Sequence, residues 1–470
     1  MVRTRFAPSP TGYLHIGGLR TALYAYLFAK KQGGKFILRI EDTDLERRID
    51  DANEIIYRTL KNAGLSYDEG PDVGGDYGPY IQSERKNTYL KYAEQLVENG
   101  HAYYCFCTKE RLEKLHADGA TKYDKHCKSI PLEEAKKRIA AGESYVIRQD
   151  IPLEGSSTYT DMVFGDITVE NKDLEDNILI KSDGMPTYNF AHVVDDHLMG
   201  ITHVIRVVEY LSSTPKYNYL YDGLGWERPH YIHLQPIMKD ATRKLSKRHG
   251  DASYEDFIAK GYLSEAIINY IALLGWSPKD NREKLSLQEM KELFSLDGIS
   301  KSASIFDESK MRWLNSQYVK ELSVEQFHEH ALPFYEKLPY LSGYDLKLLS
   351  TLLHQRTEVF SDIANLTEFL DKFDGYDLKL FENQKWKTDE SVAKAMLPEL
   401  IKIAQSGLEN LHDKLVAYSE SAGYKKGQVL WIFRIAITGS AVTPGGATEM
   451  AELIGKDKTV ERLKESLRRL

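Results

Sequence analysis

Hydrophobic and polar residues change their periodicity several times over the first 65 residues, and each change predicts a new element. Residues 2–6 indicate a short strand, residues 35–40 (KFILRI) a buried strand, and residues 44–60 a helix. Between the two strands, residues recur at the spacing of one helix face: Leu19, Leu23, Tyr26, Leu27 and Lys30. This βαβα order predicts the beginning of a parallel, doubly wound sheet.

The remaining pattern divides the chain into a mixed region and a helical region. Residues 177–181 (NILIK) and 201–208 (ITHVIRVV) predict two further strands of the sheet. From about residue 255 the helical period dominates, with segments near 263–274, 346–370, 391–405 and 428–437. A helical distal domain is therefore expected after an α/β first half.

Composition narrows the class of protein. The chain has 470 residues, of which 42% are hydrophobic and 28% charged, so it is globular and long enough for two to four domains. No stretch approaches the ~18 apolar residues of a membrane span, and no secretory signal is evident. Three cysteines, an odd number, argue against a disulfide framework and predict a reducing, cytoplasmic location. The net charge of −8 neither indicates nor excludes nucleic-acid binding, because basic patches act locally.

Two segments carry candidate phosphate chemistry. RFAPSPTGYLHIGGLR, residues 5–20, predicts a strand, a turn and a helix whose N-terminus, with His15, Gly17 and Gly18, suits phosphate. KLSKR, residues 244–248, places three cations and a hydroxyl on one short loop. Taken singly, the first is also explained by a plain turn with a surface histidine, and the second by a solvated charged loop.

Together the two segments resemble the HIGH-type and KMSKS-type signatures of class I aminoacyl-tRNA synthetases. Flanking stretches, among them ILRIEDTD, SDGMPTYNFAHVVDD and LSSTPK, are similar to those of the bacterial-type glutamyl-tRNA synthetases, in the glutamyl and glutaminyl subgroup. The resemblance covers essentially the whole chain. It implies a multidomain α/β plus all-α fold with a Rossmann-type parallel-sheet catalytic domain.

The resemblance also implies domain boundaries. The two halves of the catalytic domain are expected at residues 1–80 and 191–240, and an inserted domain that binds the acceptor end of tRNA at 81–190. A stem-contact region with the KMSKS-type loop would occupy residues 241–323. An α-helical anticodon-binding domain would occupy residues 324–470.

The implied reaction consumes ATP with Mg²⁺, activates L-glutamate as glutamyl-adenylate, and transfers the glutamyl group to the 3′ end of tRNA(Glu). His15, Lys247 and Lys244 would stabilise the phosphates. The implied ATP-binding residues are His15, Gly17, Gly18, Ser246 and Lys247. The implied glutamate-binding residues are Arg5, Ser9, Glu41, Tyr188 and Arg206.

Several of these residues allow a second interpretation. Glu41 also suits an acidic helix N-terminus, and Tyr188 a core aromatic position. Gly18 replaces the second histidine of the HIGH-type motif, so one imidazole alone can act on the phosphates. Val207-Val208 departs from the small and acidic residues usual in the family, which leaves the contacts of Glu209 and Tyr210 open.

The cysteines form a candidate metal site. Cys105, Cys107 and Cys127 lie within 23 residues, and Tyr123 precedes the last by four positions. Some relatives hold Zn²⁺ with this Cys-x-Cys and Tyr-x₃-Cys pattern, and thiolates suit tetrahedral zinc. Other relatives have lost the metal, in which case the three residues are free thiols.

On the RNA side, Arg356, Thr443 and Pro444 match positions near the anticodon in relatives, although Arg356 also suits a solvent-facing helix. The partners expected are tRNA(Glu), and tRNA(Gln) if the enzyme is non-discriminating, with no membrane and a monomeric state. Four other functions are alternatives for a sequence with these motifs: a glutaminyl-tRNA synthetase, a truncated relative that glutamylates a tRNA base, another nucleotidyltransferase, and a non-catalytic RNA-binding or regulatory protein. The Pro-Thr-Gly opening motif, the helical distal region, and the presence of His15, Lys247 and Arg206 argue against them.

Overall fold

The computed structural model describes residues 1–43, 51–245 and 253–470, which form two compact units. One unit comprises Met1–Phe257 and Ile267–Asp307, and the other comprises Ile258–Ala266 and Glu308–Leu470. The predicted combination of a parallel-sheet α/β part and a helical distal part is confirmed.

The strands all belong to the first unit. They are β1 (Arg3–Phe6), β2 (Lys35–Leu38), β3 (Ala102–Cys105), β4 (Val146–Gln149), β5 (Ser156–Asp161), β6 (Gly165–Glu170), β7 (Ile178–Ile180), β8 (His203–Val207), β9 (His230–Leu234), β10 (Ile237–Met238) and β11 (Ser304–Ile305), within the described ranges.

A parallel arrangement of β1, β2, β8 and β9 organises the first unit. β1 pairs with β2, and β8 pairs with β9, each pair in parallel. β8 lies beside β1, because the Thr202 N–H donates to the Arg3 carbonyl over 2.9 Å. The antiparallel hairpin β5–β6 joins β9 where Asp161 meets Tyr231. The carboxyl ends of the parallel strands therefore share one edge, where open α/β sheets bind ligands.

A second, antiparallel sheet lies in the segment between the two parallel pairs. Its strand order is β3-β4-β7, and β3 faces β4 with Cys105 opposite Val146. The short strands β10 and β11 pair in parallel.

Helices in the described part of the first 300 residues are α1 (Ile16–Lys31), α2 (Ala52–Asn62), α3 (Lys86–Glu98), α4 (Lys109–Ala117), α5 (Leu132–Ala140), α6 (Tyr188–Leu198), α7 (Thr214–Leu224), α8 (Tyr254–Lys260), α9 (Ser264–Leu273) and α10 (Leu287–Leu293). The predicted helical face of α1 is confirmed, since Leu19, Leu23 and Leu27 are fully buried. The predicted helix over 44–60 is confirmed from Ala52 onward, and residues 44–50 lie outside the described residues.

The second unit is built from helices around one core. They are α11 (Glu308–Val319), α12 (Val324–Tyr335), α13 (Leu346–Leu353), α14 (Ile363–Asp371), α15 (Glu390–Gln405), α16 (Leu411–Ser421), α17 (Lys426–Thr438), α18 (Ala447–Ile454) and α19 (Lys456–Arg469). Phe327, Leu349, Leu397, Phe433 and Leu463 are fully buried in that core.

The expectation of one helical segment over 346–370 was wrong. The structure divides it into α13 and α14. The carbonyl of Leu353 accepts from the N–H groups of both Arg356 and Thr357, and also from the Thr357 hydroxyl, which closes the turn after α13. Nε2 of His354 lies 3.0 Å from the Val319 carbonyl, so this break is tied to α11. Hydrophobic spacing did not detect it, because the apolar period resumes in phase.

Among the described residues, no helix combines the length and the apolar character that crossing a membrane requires.

Candidate active site

Three of the predicted site residues come from the shared edge of the parallel strands. Arg5 lies in β1, Glu41 follows β2, and Arg206 lies near the end of β8. The N–H of Glu41 donates to the Pro8 carbonyl over 3.0 Å, so the segments that leave β1 and β2 stay side by side. Ser9, one residue further, is exposed.

His15 caps the N-terminus of α1. Its Nδ1 accepts from the N–H of Gly17 over 3.0 Å, so the neutral ring carries its proton on Nε2. A Cβ added at Gly17 would lie 3.2 Å from this Nδ1, and one added at Gly18 would lie 3.3 Å from Leu14. Gly17 therefore lets the backbone of the first helical turn lie close to the capping histidine, and Gly18 lets it lie close to Leu14.

The chain that resumes after the KLSKR segment contacts this helix start. Ser253, where the described chain resumes, forms an isolated antiparallel bridge with His15, and the Tyr254 N–H donates to the Leu14 carbonyl over 3.2 Å. Lys244 forms an ion pair with Glu209, and both side chains are about half exposed. Ser246 and Lys247 lie outside the described residues.

Four buried charges alternate in sign beside the strand ends. Asp196 accepts from Nε of Arg5 over 3.0 Å and lies 2.8 Å from Nη1 of Arg39. Arg39 also donates to Oε1 of Glu41 over 2.9 Å. Burial opposes ionisation of Asp196, but Arg5 and Arg39 hold its pKa well below the usual range. Burial raises the pKa of Glu41, and the two arginines oppose that shift.

Three polar atoms of the predicted residues lack a protein partner in the described part of the chain. Arg5 binds Asp196 through Nε and Nη2, which leaves Nη1. Glu41 uses Oε1 for Arg39, which leaves Oε2. Arg206 donates from Nε to His233 and from Nη2 to Thr214, which leaves Nη1.

Aromatic rings line the space between these groups. The rings of Tyr188 and His192 lie 5.1 Å apart, and His192 meets Tyr217 edge-on at 4.4 Å. Burial lowers the pKa of His192 to about 4, and the charges of Arg206 and Arg5 act in the same direction. The charges of both arginines therefore reach the His192 ring.

Sequence reasoning missed Arg39 and Asp196. Both are buried and complete the network of Arg5 and Glu41. The sequence does contain a sign of these buried charges, because charged residues interrupt the apolar runs in ILRIED and in AHVVDDH. A buried charge needs an opposite partner, but the sequence does not show which pairs form.

Two family models match the chain. Residues 1–313 match the catalytic domain of class I tRNA synthetases (E and Q), and residues 326–467 match an anticodon binding domain. Glutamate–tRNA ligases of Clostridium acetobutylicum and Clostridium botulinum are 52% and 53% identical to this chain. The alignments cover 100% and 99% of this chain, and 99% and 98% of the relatives.

The chain belongs to the glutamate–tRNA ligases. Solved structures agree with this family. A glutamate tRNA ligase from Elizabethkingia meningosepticum, in complex with its amino acid, is 35% identical with a TM-score of 0.86. That alignment covers 100% of this chain and 99% of the solved one. A glutamate–tRNA synthetase from Elizabethkingia anophelis is 35% identical with a TM-score of 0.88, and 99% of each chain is covered.

In this glutamate–tRNA ligase the three cysteines come together. The Sγ atoms of Cys105, Cys107 and Cys127 all lie within 4.8 Å of one another. The hydroxyl of Tyr123 lies 3.3 Å from Sγ of both Cys105 and Cys107. Burial raises the pKa of Cys107 to about 12. Three thiols and a phenol at these separations match the donor number and chemistry of a tetrahedral metal site.

The ligase's anticodon-region candidates also converge. Arg356 is exposed, and its charge reaches Arg434, whose pKa is lowered by burial and by Arg356. Arg434 donates to the Ala441 carbonyl over 3.1 Å, which holds the loop that continues to Thr443 and Pro444. Thr443 and Pro444 are buried at this loop.

Proposed function

We propose that L-glutamate binds at the edge of the parallel sheet, between Arg5, Glu41 and Arg206. Oε2 of Glu41 takes the substrate ammonium, and the Nη1 groups of Arg5 and Arg206 take its two carboxylates. Ser9 and Tyr188 line the same space.

One observation carries this proposal. Arg206 is 6% exposed, yet no carboxylate of the described residues lies within ion-pair distance of it. The four charges of Arg5, Arg39, Glu41 and Asp196 cancel one another, whereas Arg206 is surrounded by tyrosine rings and a histidine. A buried guanidinium without an ion pair favours a ligand that brings a carboxylate.

We propose that the phosphates of ATP bind at the N-terminus of α1. The proposed ATP-binding residues are His15, Gly17, Gly18, Ser246 and Lys247. His15 donates from Nε2 to the α-phosphate, and Lys247 offsets charge on the β- and γ-phosphates. Lys244 assists after it exchanges its ion pair with Glu209 for a phosphate oxygen.

The reaction then runs in two steps. An oxygen of the glutamate α-carboxylate attacks the α-phosphorus, the bond to the β-phosphate oxygen breaks, and pyrophosphate leaves. A ribose hydroxyl at the 3′ end of tRNA(Glu) attacks the acyl carbon, loses its proton, and AMP leaves. When bound, Mg²⁺ supplies charge neutralisation on the triphosphate. The residues named act by position and charge, without a covalent intermediate on the protein.

Substitution of Arg206 tests the glutamate site. Arg206→Lys keeps the positive charge but removes the planar guanidinium, which can bind a carboxylate through two nitrogens. We expect KM for glutamate to rise about 10- to 100-fold, with KM for ATP unchanged. Arg228→Lys is the matched control, because Arg228 is exposed and pairs with Asp222. An unchanged KM for glutamate in Arg206→Lys would exclude this site.

We further propose that Cys105, Cys107, Tyr123 and Cys127 hold one Zn²⁺. The clustering of three Sγ atoms and one phenol oxygen supports this. Zinc bound there would crosslink β3 to the segment around residue 127, and its role would be structural.

The RNA-binding assignments are also proposals. Residues 81–190 hold the acceptor end of tRNA, residues 241–323 its stem, and residues 324–470 its anticodon, with the catalytic halves at 1–80 and 191–240. Arg356, Thr443 and Pro444 approach the anticodon bases, which proteins usually recognise by stacking and edge hydrogen bonds. We expect a cytoplasmic monomer.

A further inference from the structure

Arg206 stands at the end of a chain of buried hydrogen bonds that runs back to β5. Its Nε donates to Nε2 of His233 over 3.1 Å, and Nδ1 of His233 lies 2.6 Å from Oδ2 of Asp161. His233 and Asp161 are 0% and 1% exposed. Neither belongs to the set of residues expected from the sequence.

The donors and acceptors in this chain fix the tautomer of His233. A guanidinium nitrogen can only donate, so Nε2 of His233 must accept. The neutral ring then carries its proton on Nδ1 and donates it to Asp161. Asp161 is itself held in place, because Oδ1 accepts from the N–H groups of Val163 and Phe164, each over 2.9 Å.

Besides His233, one hydroxyl and three aromatic rings contact the Arg206 guanidinium. Nη2 donates to the Thr214 hydroxyl over 2.6 Å. The rings of Tyr210, Tyr217 and Tyr231 have their centroids 4.9–5.3 Å from Cζ, and such faces tolerate rotation of the guanidinium plane. Nη1 is the nitrogen without a protein partner among the described residues, so the bonds from Nε to His233 and from Nη2 to Thr214 together set where it points, and loss of the His233 bond leaves the guanidinium held at one nitrogen.

We propose that His233, oriented by Asp161, is a positioning residue for glutamate: it holds the Arg206 fork so that Nη1 meets the side-chain carboxylate of the substrate. This inference rests on the proposed glutamate-binding role of Arg206. It makes β5, from the segment inserted between the sheet halves, and β9 joint contributors to amino-acid recognition.

Steady-state kinetics of tRNA glutamylation by the full chain test this. His233→Leu removes the acceptor, and we expect KM for glutamate to rise about 10- to 100-fold with KM for ATP unchanged. His233→Gln offers a carbonyl near the Nε2 position and recovers most of that loss. Asp161→Asn favours the opposite tautomer and raises KM for glutamate in the same way, and the Asp161→Asn/His233→Leu double variant is no worse than His233→Leu.

His230→Gln is the matched control, since His230 is exposed on the same strand. It should retain the wild-type constants. If Arg206→Lys raises KM for glutamate and His233→Leu does not, the positioning role is wrong and the glutamate site stands. If neither substitution raises it, the glutamate site itself is wrong. Equal increases for ATP and glutamate, or no recovery in His233→Gln, would show that His233 only supports the fold.

Discussion

Asp196 shows how the protein keeps several ionised groups away from water. A buried carboxylate is costly unless it is paired and hydrogen-bonded, and Asp196 receives both from Arg5 and Arg39. The same pairing leaves one donor of Arg5 and one oxygen of Glu41 uncommitted. Pairing within the protein therefore stabilises the cluster and also orients the groups proposed to meet glutamate.

Glu41→Gln tests the proposed ammonium contact. The amide oxygen can still accept from Arg39, but the negative charge is lost, so we expect KM for glutamate to rise about 10-fold or more. KM for ATP should not change. Glutamylation kinetics with glutamate varied at saturating ATP and tRNA measure this effect. A wild-type KM for glutamate would mean that the ammonium binds elsewhere.

His192 predicts a pH dependence of stability. Burial lowers its native pKa to about 4, whereas an unfolded histidine has a pKa of ~6.5. Between these values the unfolded chain binds a proton that the native state does not, so stability falls as pH falls, by on the order of 3 kcal/mol at most. Above pH ~6.5 the histidine is neutral in both the folded and the unfolded state, so it does not make stability depend on pH.

The measurement is thermal unfolding at about pH 7 and about pH 5. His192→Asn should lose less stability than the wild type between the two values. His116→Asn, at an exposed histidine, should follow the wild type. If the wild type and His192→Asn lose the same stability between the two pH values, His192 is not the source of the pH dependence.

At the scale of elements, the strands and helices nearest the N-terminus were predictable because their local signals agree. Turn-formers, apolar spacing and glycines all place β1, α1 and β2 where the structure has them. The hydrogen-bond chain through β5 and β9 was not predictable, because Asp161 and His233 are 72 residues apart and meet through strand pairing. The three cysteines were predictable as a cluster, because they lie close in sequence.

Gly34, which immediately precedes β2, lies too close to Val2, which immediately precedes β1, to carry a side chain. A Cβ there would lie 2.2 Å from the Val2 carbonyl oxygen, which belongs to backbone that cannot rotate away. Gly34→Ala should therefore lower the free energy of unfolding by ~1–3 kcal/mol. Gly343→Ala is the control, since nothing lies within 4 Å of its added Cβ. Urea denaturation of both variants measures the difference, and equal stabilities would refute the close approach.

The cysteine cluster predicts one zinc per chain. Elemental analysis of protein purified without chelator should find about one equivalent, and Cys107→Ser should lose most of it because a thiolate ligand is removed. Tyr123→Phe should weaken retention against a chelator. Tyr103→Phe should not, because the Tyr103 hydroxyl bonds to Asp176. Metal-free wild-type protein would contradict the proposal.

At the scale of the whole molecule, the two units correspond to the catalytic domain and the anticodon binding domain of a glutamate–tRNA ligase. The matched catalytic domain, residues 1–313, holds the strand edge and the buried charges, and the matched anticodon binding domain, residues 326–467, is helical. The resemblance of short motifs was enough to predict this division. The partner of each buried charge could not be predicted from the motifs, because ion pairs such as that of Arg5 with Asp196 join residues 191 positions apart.

Glutamylation of purified transcripts tests the central claim most directly. With ATP, Mg²⁺ and glutamate, the enzyme should charge tRNA(Glu), and glutamine should not replace glutamate, because its uncharged amide cannot form the ion pair that we propose for Arg206. Charging of tRNA(Gln) as well would identify a non-discriminating form. Failure to charge either transcript, or equal use of glutamine, would contradict the account of the site.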